Sequence, residues 1–442
     1  MAMLRTLSIL LSLLLPAHSA RSPDCGGILT PSGLRYRKCR PTSPLPAAGT
    51  GGSDTICSGG ETSNAGPRIS CHYRNQITSV KVDNFSLTLI PDTGMRLSIE
   101  VDLGVTSAPS ATKEMRLSIL ADLHVEMNPD GNLELVTSDC KPTLEEVQST
   151  EPHVHLSPLF LLFIPQICLE VSKLLLFPNE RLMSLAAPFP ITPSCQVQYL
   201  PLAAPMYSEQ GIIISLQTTF QVSGTVIPLP ISPVPFSMPE PARSSSSHVI
   251  LAFSEHFYTS LFSALEESGA LNVSLLSSLT TATLSERITQ MGSLFQEDLP
   301  VVLQAVTRSS PHVVLEEDKA IVQLFLTAQI GAGSLFQSFL SVNVVSGSTL
   351  SLGSVCCEDI ELSLAASDVG PILAALLEEL FLPTIREEVT AQINVVLRQG
   401  VFLPHIASFT YTDVNITIHK VGNKTFKLLP AVLDLKEAWE QC

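Results

Sequence analysis

Few side chains in this chain have the type and spacing to do chemistry. His153 and His155 could ligate a metal ion, but they stand in a loop stretch without a thiol cluster, so a surface pair is the simpler reading. His256 falls within a helical pattern, where a packed or solvent-facing imidazole is the ordinary outcome. Glu316-Glu317-Asp318 and Glu378-Glu379 read as solvated turns and helix faces, and Arg386 beside Glu387-Glu388 as local ion pairs worth ~0.3–0.5 kcal/mol each. No nucleophile elbow, HExxH pair, phosphate-cradling glycine loop or CxxC spacing is present. These residues therefore offer no catalytic centre, no metal site and no call for a cofactor.

Ten cysteines in 442 residues are too few for a disulfide-stapled scaffold. Cys140 and Cys168 flank a loop or helix between β-rich segments and could bridge. Cys25, Cys39, Cys57 and Cys71 lie in an N-terminal segment of irregular composition, while Cys195, Cys356, Cys357 and Cys442 show no obvious partner.

The elements that must position any site follow from composition and periodicity. The formal charge of −16 argues against nucleic acid and anionic surfaces, which require Lys/Arg patches. Arg5, the apolar run Leu7–Pro16 and the small residues Ala17, Ser19 and Ala20 read as a cleaved secretory leader over 1–20. That run, like Leu156–Ile167, is too short to span a bilayer, which takes ~20 residues, so no transmembrane anchoring is expected. Sequons at Asn84, Asn272, Asn415 and Asn423 fit an extracellular destination and predict glycosylation. With 45% hydrophobic and only 15% charged residues, much apolar surface must be buried, and a groove for an apolar ligand is one place to bury it.

Met95–Val105 and Met115–Met127 alternate apolar with polar or small residues, and Asn128-Pro-Asp-Gly131 marks a turn, predicting long antiparallel strands with one buried face. The earlier run from Val80 to Leu89 changes phase at Asp83-Asn84, which predicts a bulge. Ile212–Val226 reads as one strand. Further on, Val322–Ile330, Leu340–Val344 and Ile360–Leu364 alternate, a helix runs from Pro371 to Gly400, and Phe409–His419 closes as a strand. Ile372, Leu376, Leu380, Ile385, Val389, Ile393 and Val396 trace that helix's apolar stripe, with Pro383 as a kink. Between the two β-rich parts, six prolines from Pro228 to Pro241 make an extended spacer. A helix follows it, carrying Ile250, Phe253, Phe257, Leu261 and Leu265 and stopped by Gly269.

Pro235-Phe-Ser-Met-Pro239, Ser254-Glu-His-Phe-Tyr258 and Glu267-Ser-Gly-Ala-Leu271 come in this order, and Leu362–Gly370 and Gln399-Gly-Val-Phe-Leu-Pro404 follow. In order and spacing this block resembles the lipid-transfer family of bactericidal/permeability-increasing protein (BPI), over about residues 222–430. Ile77–Val105 and Met115–Leu135 are similar to the family's N-terminal strands. The resemblance implies an α+β fold of tandem BPI-type barrels, long twisted strands each wrapping a long helix. A central sheet and the proline strip would join them into a boomerang. It implies a disulfide between Cys140 and Cys168, an N-terminal barrel over 76–226, a linker over 227–248 and a C-terminal barrel over 249–442. It further implies a secreted, non-enzymatic protein that takes lipids or other apolar ligands between helix and sheet, with Phe253, Phe257, Leu261, Ile385, Val389 and Ile393 as candidate lining. Bacterial surfaces are a further implied partner, in a host-defence role in egg white or mucosal fluid.

Two segments depart from the family pattern. Residues 21–75, rich in Gly, Pro and Ser after Arg35, read as irregular where a first barrel helix is expected, and the helix before Cys168 is short or absent. These departures favour the C-terminal half as the place for a working pocket. They also motivate a different expectation, an extracellular structural or interaction protein whose interiors are closed by side chains.

Overall fold

The computed structural model describes residues 22–34, 57–58, 70–71, 76–107, 111–148, 167–169, 171–173, 175–228, 238, 247–316, 319–351, 354–398, 403, 409–412, 417–421 and 424–435. Strand β1 (Cys25–Leu29) and the short helix α1 (Pro31–Leu34) come first, then the small pair β2 (Cys57–Ser58) and β3 (Ser70–Cys71). A four-stranded meander follows: β4 (Gln76–Ile90), β5 (Gly94–Ser107), β6 (Ala111–Met127) and β7 (Leu133–Gln148). Helix α2 (Leu176–Met183) leads to β8 (Phe189–Thr192), β9 (Cys195–Pro201), β10 (Met206–Ser208), β11 (Gly211–Val222) and β12 (Thr225–Val226). Next come β13 (Val249–Ser254), α3 (Glu255–Glu267), β14 (Val273–Thr280), α4 (Thr281–Ser285) and α5 (Met291–Leu294). A second meander joins β14 to β15 (Pro300–Glu316), β16 (Lys319–Ala332), β17 (Gln337–Ser351) and β18 (Ser354–Ser367). Helix α6 (Ala374–Arg398) and strands β19 (Phe409–Thr412), β20 (Thr417–Val421) and β21 (Lys424–Leu435) complete the order.

Between the meanders lies a central sheet in the order β19-β21-β13-β1-β11-β9-β8, with β10 and β12 on β11 and β20 on β21. The fold is α+β: two curled antiparallel sheets, each with helices against its edges, meeting at a sheet that draws strands from both ends of the chain.

Alternation sets the meander faces. Met95, Leu97 and Val101 on β5 and Leu117, Ile119, Ala121, Leu123 and Val125 on β6 are buried, with Arg96, Arg116 and Leu120 outward between them. The register of β4 on β5 shifts between Val82 and Asn84, at the predicted bulge. In the predicted turn Gly131 takes φ 82°, and the Asn128 side chain accepts the N–H groups of Asp130 and Asn132 at 3.1 and 3.0 Å.

Five expectations change. Cys25–Leu29, within the segment expected to be irregular, is a strand at the middle of the central sheet, because β11 and β13 supply hydrogen bonds on both sides. Ile250 and Phe253 belong to β13 and not to the helix. The unbroken apolar run 249–253 suits a strand buried on both faces, and α3 starts only after Ser254, whose Oγ caps Phe257 N–H at 3.4 Å. Ile212–Val226 is a hairpin, because Ser223 and Gly224 both take positive φ (51° and 81°) and turn the chain between β11 and β12. Strand β15 escaped the periodicity reading, its alternation interrupted at Arg308-Ser-Ser-Pro311, where the pairing with β16 slips twice. Phe409–His419 is broken into β19 and β20, each pairing with β21.

Helix α6 runs from Ala374 through Pro383, which faces solvent. Its buried seam is Leu377, Phe381, Ile385, Val389, Ile393 and Val396, so Leu376 and Leu380, expected on the stripe, are only partly buried. The helix packs on β18 and also touches β14, spanning the open edges of its meander. Helix α3 covers the free edge of β15, where Val313 N–H donates to Thr259 Oγ1 (3.3 Å) and Leu315 N–H to the Glu255 carboxylate (3.0 Å).

Candidate functional site

The six side chains expected to line a pocket are brought together, but as core. Phe253 on β13, Phe257 and Leu261 on α3, and Ile385, Val389 and Ile393 on α6 share one apolar cluster and are 1–3% exposed. A side chain facing an opening wide enough for a water molecule would show accessible surface. At these values protein atoms cover all six. Phe257 sits 4.6 Å from Phe253 and 6.2 Å from Phe220 between ring centroids, so α3 is fastened to β11 by aromatic packing. An acyl chain reaching these residues would have to part that packing.

A half-open cleft of mixed apolar and polar lining lies beside the first meander. Its volume is about 270 Å³, and it is lined by Pro31 and Leu34 of α1, Leu87, Thr88 and Leu89 of β4, Pro91, and Glu209. Five of these seven residues are apolar, and Glu209 is the one charged group among them. The size is close to the ~300–1,000 Å³ of small-molecule sites. Several contacts hold the walls. Thr30 and Ser32 donate their hydroxyls to the Ser247 carbonyl at 2.6 and 2.9 Å, which fixes where α1 begins. Asp92 N–H donates to the Tyr207 carbonyl (3.0 Å), and Val125 N–H donates to the Tyr207 hydroxyl (2.6 Å), fastening the β10–β11 hairpin to β4 and β6. Burial raises the Tyr207 phenol above its ordinary range, so it stays protonated. Leu87 and Leu89 were legible as an alternating strand face. The wall from Pro31 and Leu34 was not, since four residues carry no periodicity.

Cys140 on β7 is bonded to Cys168, beside helical residues 167–169. Asn84 is exposed at the β4 bulge and Asn272 is exposed just before β14. Asn415, Asn423, His153 and His155 lie outside the described residues. His256, in the first turn of α3, is buried with Nδ1 3.5 Å from the Asp24 carboxylate. Glu316 pairs with Lys319 (3.1 Å) across the β15–β16 turn, and Glu379 pairs with Arg287 (2.7 Å).

The outer face of the first meander carries an ion-pair ladder. Arg96 clasps Asp122 with two bonds (2.7 and 3.0 Å), Arg116 reaches Asp102 (2.9 Å) and Asp83 (3.5 Å), and Lys141 reaches Asp139. Hydrogen bonds from these cations hold Asp102, Asp122 and Asp139 below the usual carboxylate range. Each of these cations sits against a carboxylate, so the described side chains of this face form no basic patch.

The family model for the LBP/BPI/CETP family, C-terminal domain, matches residues 191–422, more than half of the chain. The chain belongs to the LBP/BPI/CETP family. It is 50% identical to Protein TENP of Gallus gallus over 97% of this chain and 98% of that protein. It is 24% identical to BPI fold-containing family B member 2 of Homo sapiens over 58% of this chain and 60% of that one. Among solved structures, that of lipopolysaccharide binding protein aligns with 94% of this chain and 100% of its own, at 17% identity and a TM-score of 0.49. No helix among the described residues is long and apolar enough to cross a membrane.

Proposed function

We propose that this protein is a secreted, non-enzymatic lipid-binding member of the family, released after removal of residues 1–20, and that the cleft between α1 and β4 admits part of an acyl chain. Membership of the LBP/BPI/CETP family carries the reading. The cleft supplies a place for it. Its leucine and proline side chains offer apolar contact to part of an acyl chain, and Glu209 at the lining disfavours an anionic headgroup beside it. Phospholipids with neutral or zwitterionic heads suit it better. Host defence in egg white or mucosal fluid, and glycosylation at Asn84, Asn272, Asn415 and Asn423, belong to the same reading, as does the division into barrels at 76–226 and 249–442 joined by 227–248.

Filling the cleft tests its location. Leu89→Trp should lower uptake of a fluorescent phosphatidylcholine by about tenfold while leaving the far-UV circular dichroism unchanged; uptake equal to the parent protein would remove this cleft from the proposal. A second reading, an extracellular interaction protein without a working pocket, draws on the complete cover over Phe253, Phe257, Leu261, Ile385, Val389 and Ile393. It predicts that neither half takes up lipid.

A further inference from the structure

Strand β1 is the one strand among the described residues that hydrogen-bonds the β11-β9-β8 part of the central sheet to the β13-β21 part. All five of its residues pair antiparallel on both sides, Cys25 with Leu216 and Phe253, Leu29 with Ile212 and Val249. Its sequence, Cys-Gly-Gly-Ile-Leu, is short and glycine-rich, the kind of strand whose alternation sets register weakly. Register is set instead by contacts at and beyond its ends. The Asp24 carboxylate, 1% exposed, accepts the Thr218 N–H at 2.9 Å and the Thr218 hydroxyl, and it faces His256 Nδ1 at 3.5 Å. The Asp24 N–H donates to the Leu216 carbonyl (3.1 Å), and its own carbonyl accepts Ser254 N–H (2.9 Å). At the other end Thr30 N–H donates to the His248 carbonyl (3.0 Å) and the Thr30 hydroxyl to the Ser247 carbonyl (2.6 Å). Between them Gly26 passes beneath Met238, where a Cβ would lie 2.6 Å from the Ile214 carbonyl oxygen and 2.7 Å from the Met238 sulfur.

We propose that the slot between β11 and β13 is a peptide-binding groove, and that residues 22–34 occupy it as a separable strand. The groove reads three features of an extended peptide: a carboxylate at the position of Asp24, no side chain at Gly26, and a hydroxyl at Thr30. Ladder hydrogen bonds supply affinity and these three positions supply selection, as in strand addition to a sheet edge. A slide by one residue would place Pro23 or Cys25 where Asp24 meets Thr218, leaving the buried Asp24 carboxylate without its donor set, and the slide that brings Cys25 to the position of Gly26 also sets a Cβ against the Ile214 carbonyl. The occupant is the chain's own N-terminal segment, and the two parts of the central sheet are coupled through it.

The test uses the full chain with a protease recognition sequence inserted between Arg37 and Lys38, so that Cys25 is the one cysteine of the mature chain on the N-terminal side. After cutting, the N-terminal fragment should co-elute with the body at unchanged hydrodynamic size. A labelled synthetic peptide of residues 22–34 should then exchange into the body under mild urea. The same peptide carrying Gly26→Val should bind about tenfold more weakly or worse, because its side chain meets backbone, and Asp24→Ala should also weaken it. Separation of the fragment in native buffer, whether the body stays soluble or precipitates, would overturn the proposal. So would a Gly26→Val peptide that exchanges as well as the parent. Elution at twice the size, with the fragment held between two bodies, would overturn the intrachain assignment in favour of a second copy.

Discussion

Asn179 on α2 accepts the Leu135 N–H of β7 at 2.8 Å and returns an N–H to the Leu135 carbonyl at 3.0 Å, so one side-chain amide stands in for a neighbouring strand. Asn179→Ala should therefore leave two backbone groups short of partners and cost about 1–3 kcal/mol in urea unfolding. Faster hydrogen exchange at the Leu135 amide is the local check. The buried thiols give a pH prediction. Burial raises Cys195 to about 11, and burial followed by the nearby Asp24 raises Cys25 well above its usual value. Unfolded thiols titrate near ~8.5, so the stability these groups contribute is fully present at neutral pH and is lost as pH rises from there through about 11. The urea midpoint should fall over that range, and less steeply in Cys195→Ala. Little of this was legible beforehand. Asn179 and Tyr207 are single polar residues without a motif, and only the fold gives them backbone groups to satisfy.

At the level of elements, the seam of α6 discriminates between two phases of one helix. Leu377→Ala should cost about 2–5 kcal/mol and Phe381→Ala about 3–5, because both are 0% exposed. Leu376→Ala and Leu380→Ala, only partly buried, should cost clearly less, and the reverse order in thermal or urea denaturation would restore the stripe expected from periodicity. The disulfide closes a separation of 28 residues. Replacing Cys140 and Cys168 by Ala should lower stability by about 3–4 kcal/mol on a loop-closure estimate, read as a lower urea midpoint. The long strands β5 and β6, the bulge near Asn84 and the turn at Gly131 were legible because one solvated face leaves a strict period of two. Strand β15 was not, since Arg308–Pro311 interrupts its alternation where the register slips. In α6, Leu376 and Leu377, like Leu380 and Phe381, are adjacent apolar residues, and only contact with β14 and β18 decides which pair turns inward.

At the scale of the molecule, the ends of the chain meet in the middle. Strand β1 pairs with residues near 216 and 250, and β21 pairs with β13, contacts spanning roughly 170 to 230 residues that no local pattern announces. The two-part organisation and the family were legible from the block around Pro235, Ser254 and Gly370. The place of the open cleft was not, because it is assembled from α1, β4 and the β10–β11 turn, and the residues chosen from helix stripes proved to be core. Native mass spectrometry of the purified protein, before and after organic extraction and after incubation with phosphatidylcholine, is the most direct measurement. Lipid-binding function predicts a mass increment of lipid that extraction removes and incubation restores. A single unadorned mass in all three states, from protein that remains folded, would contradict it.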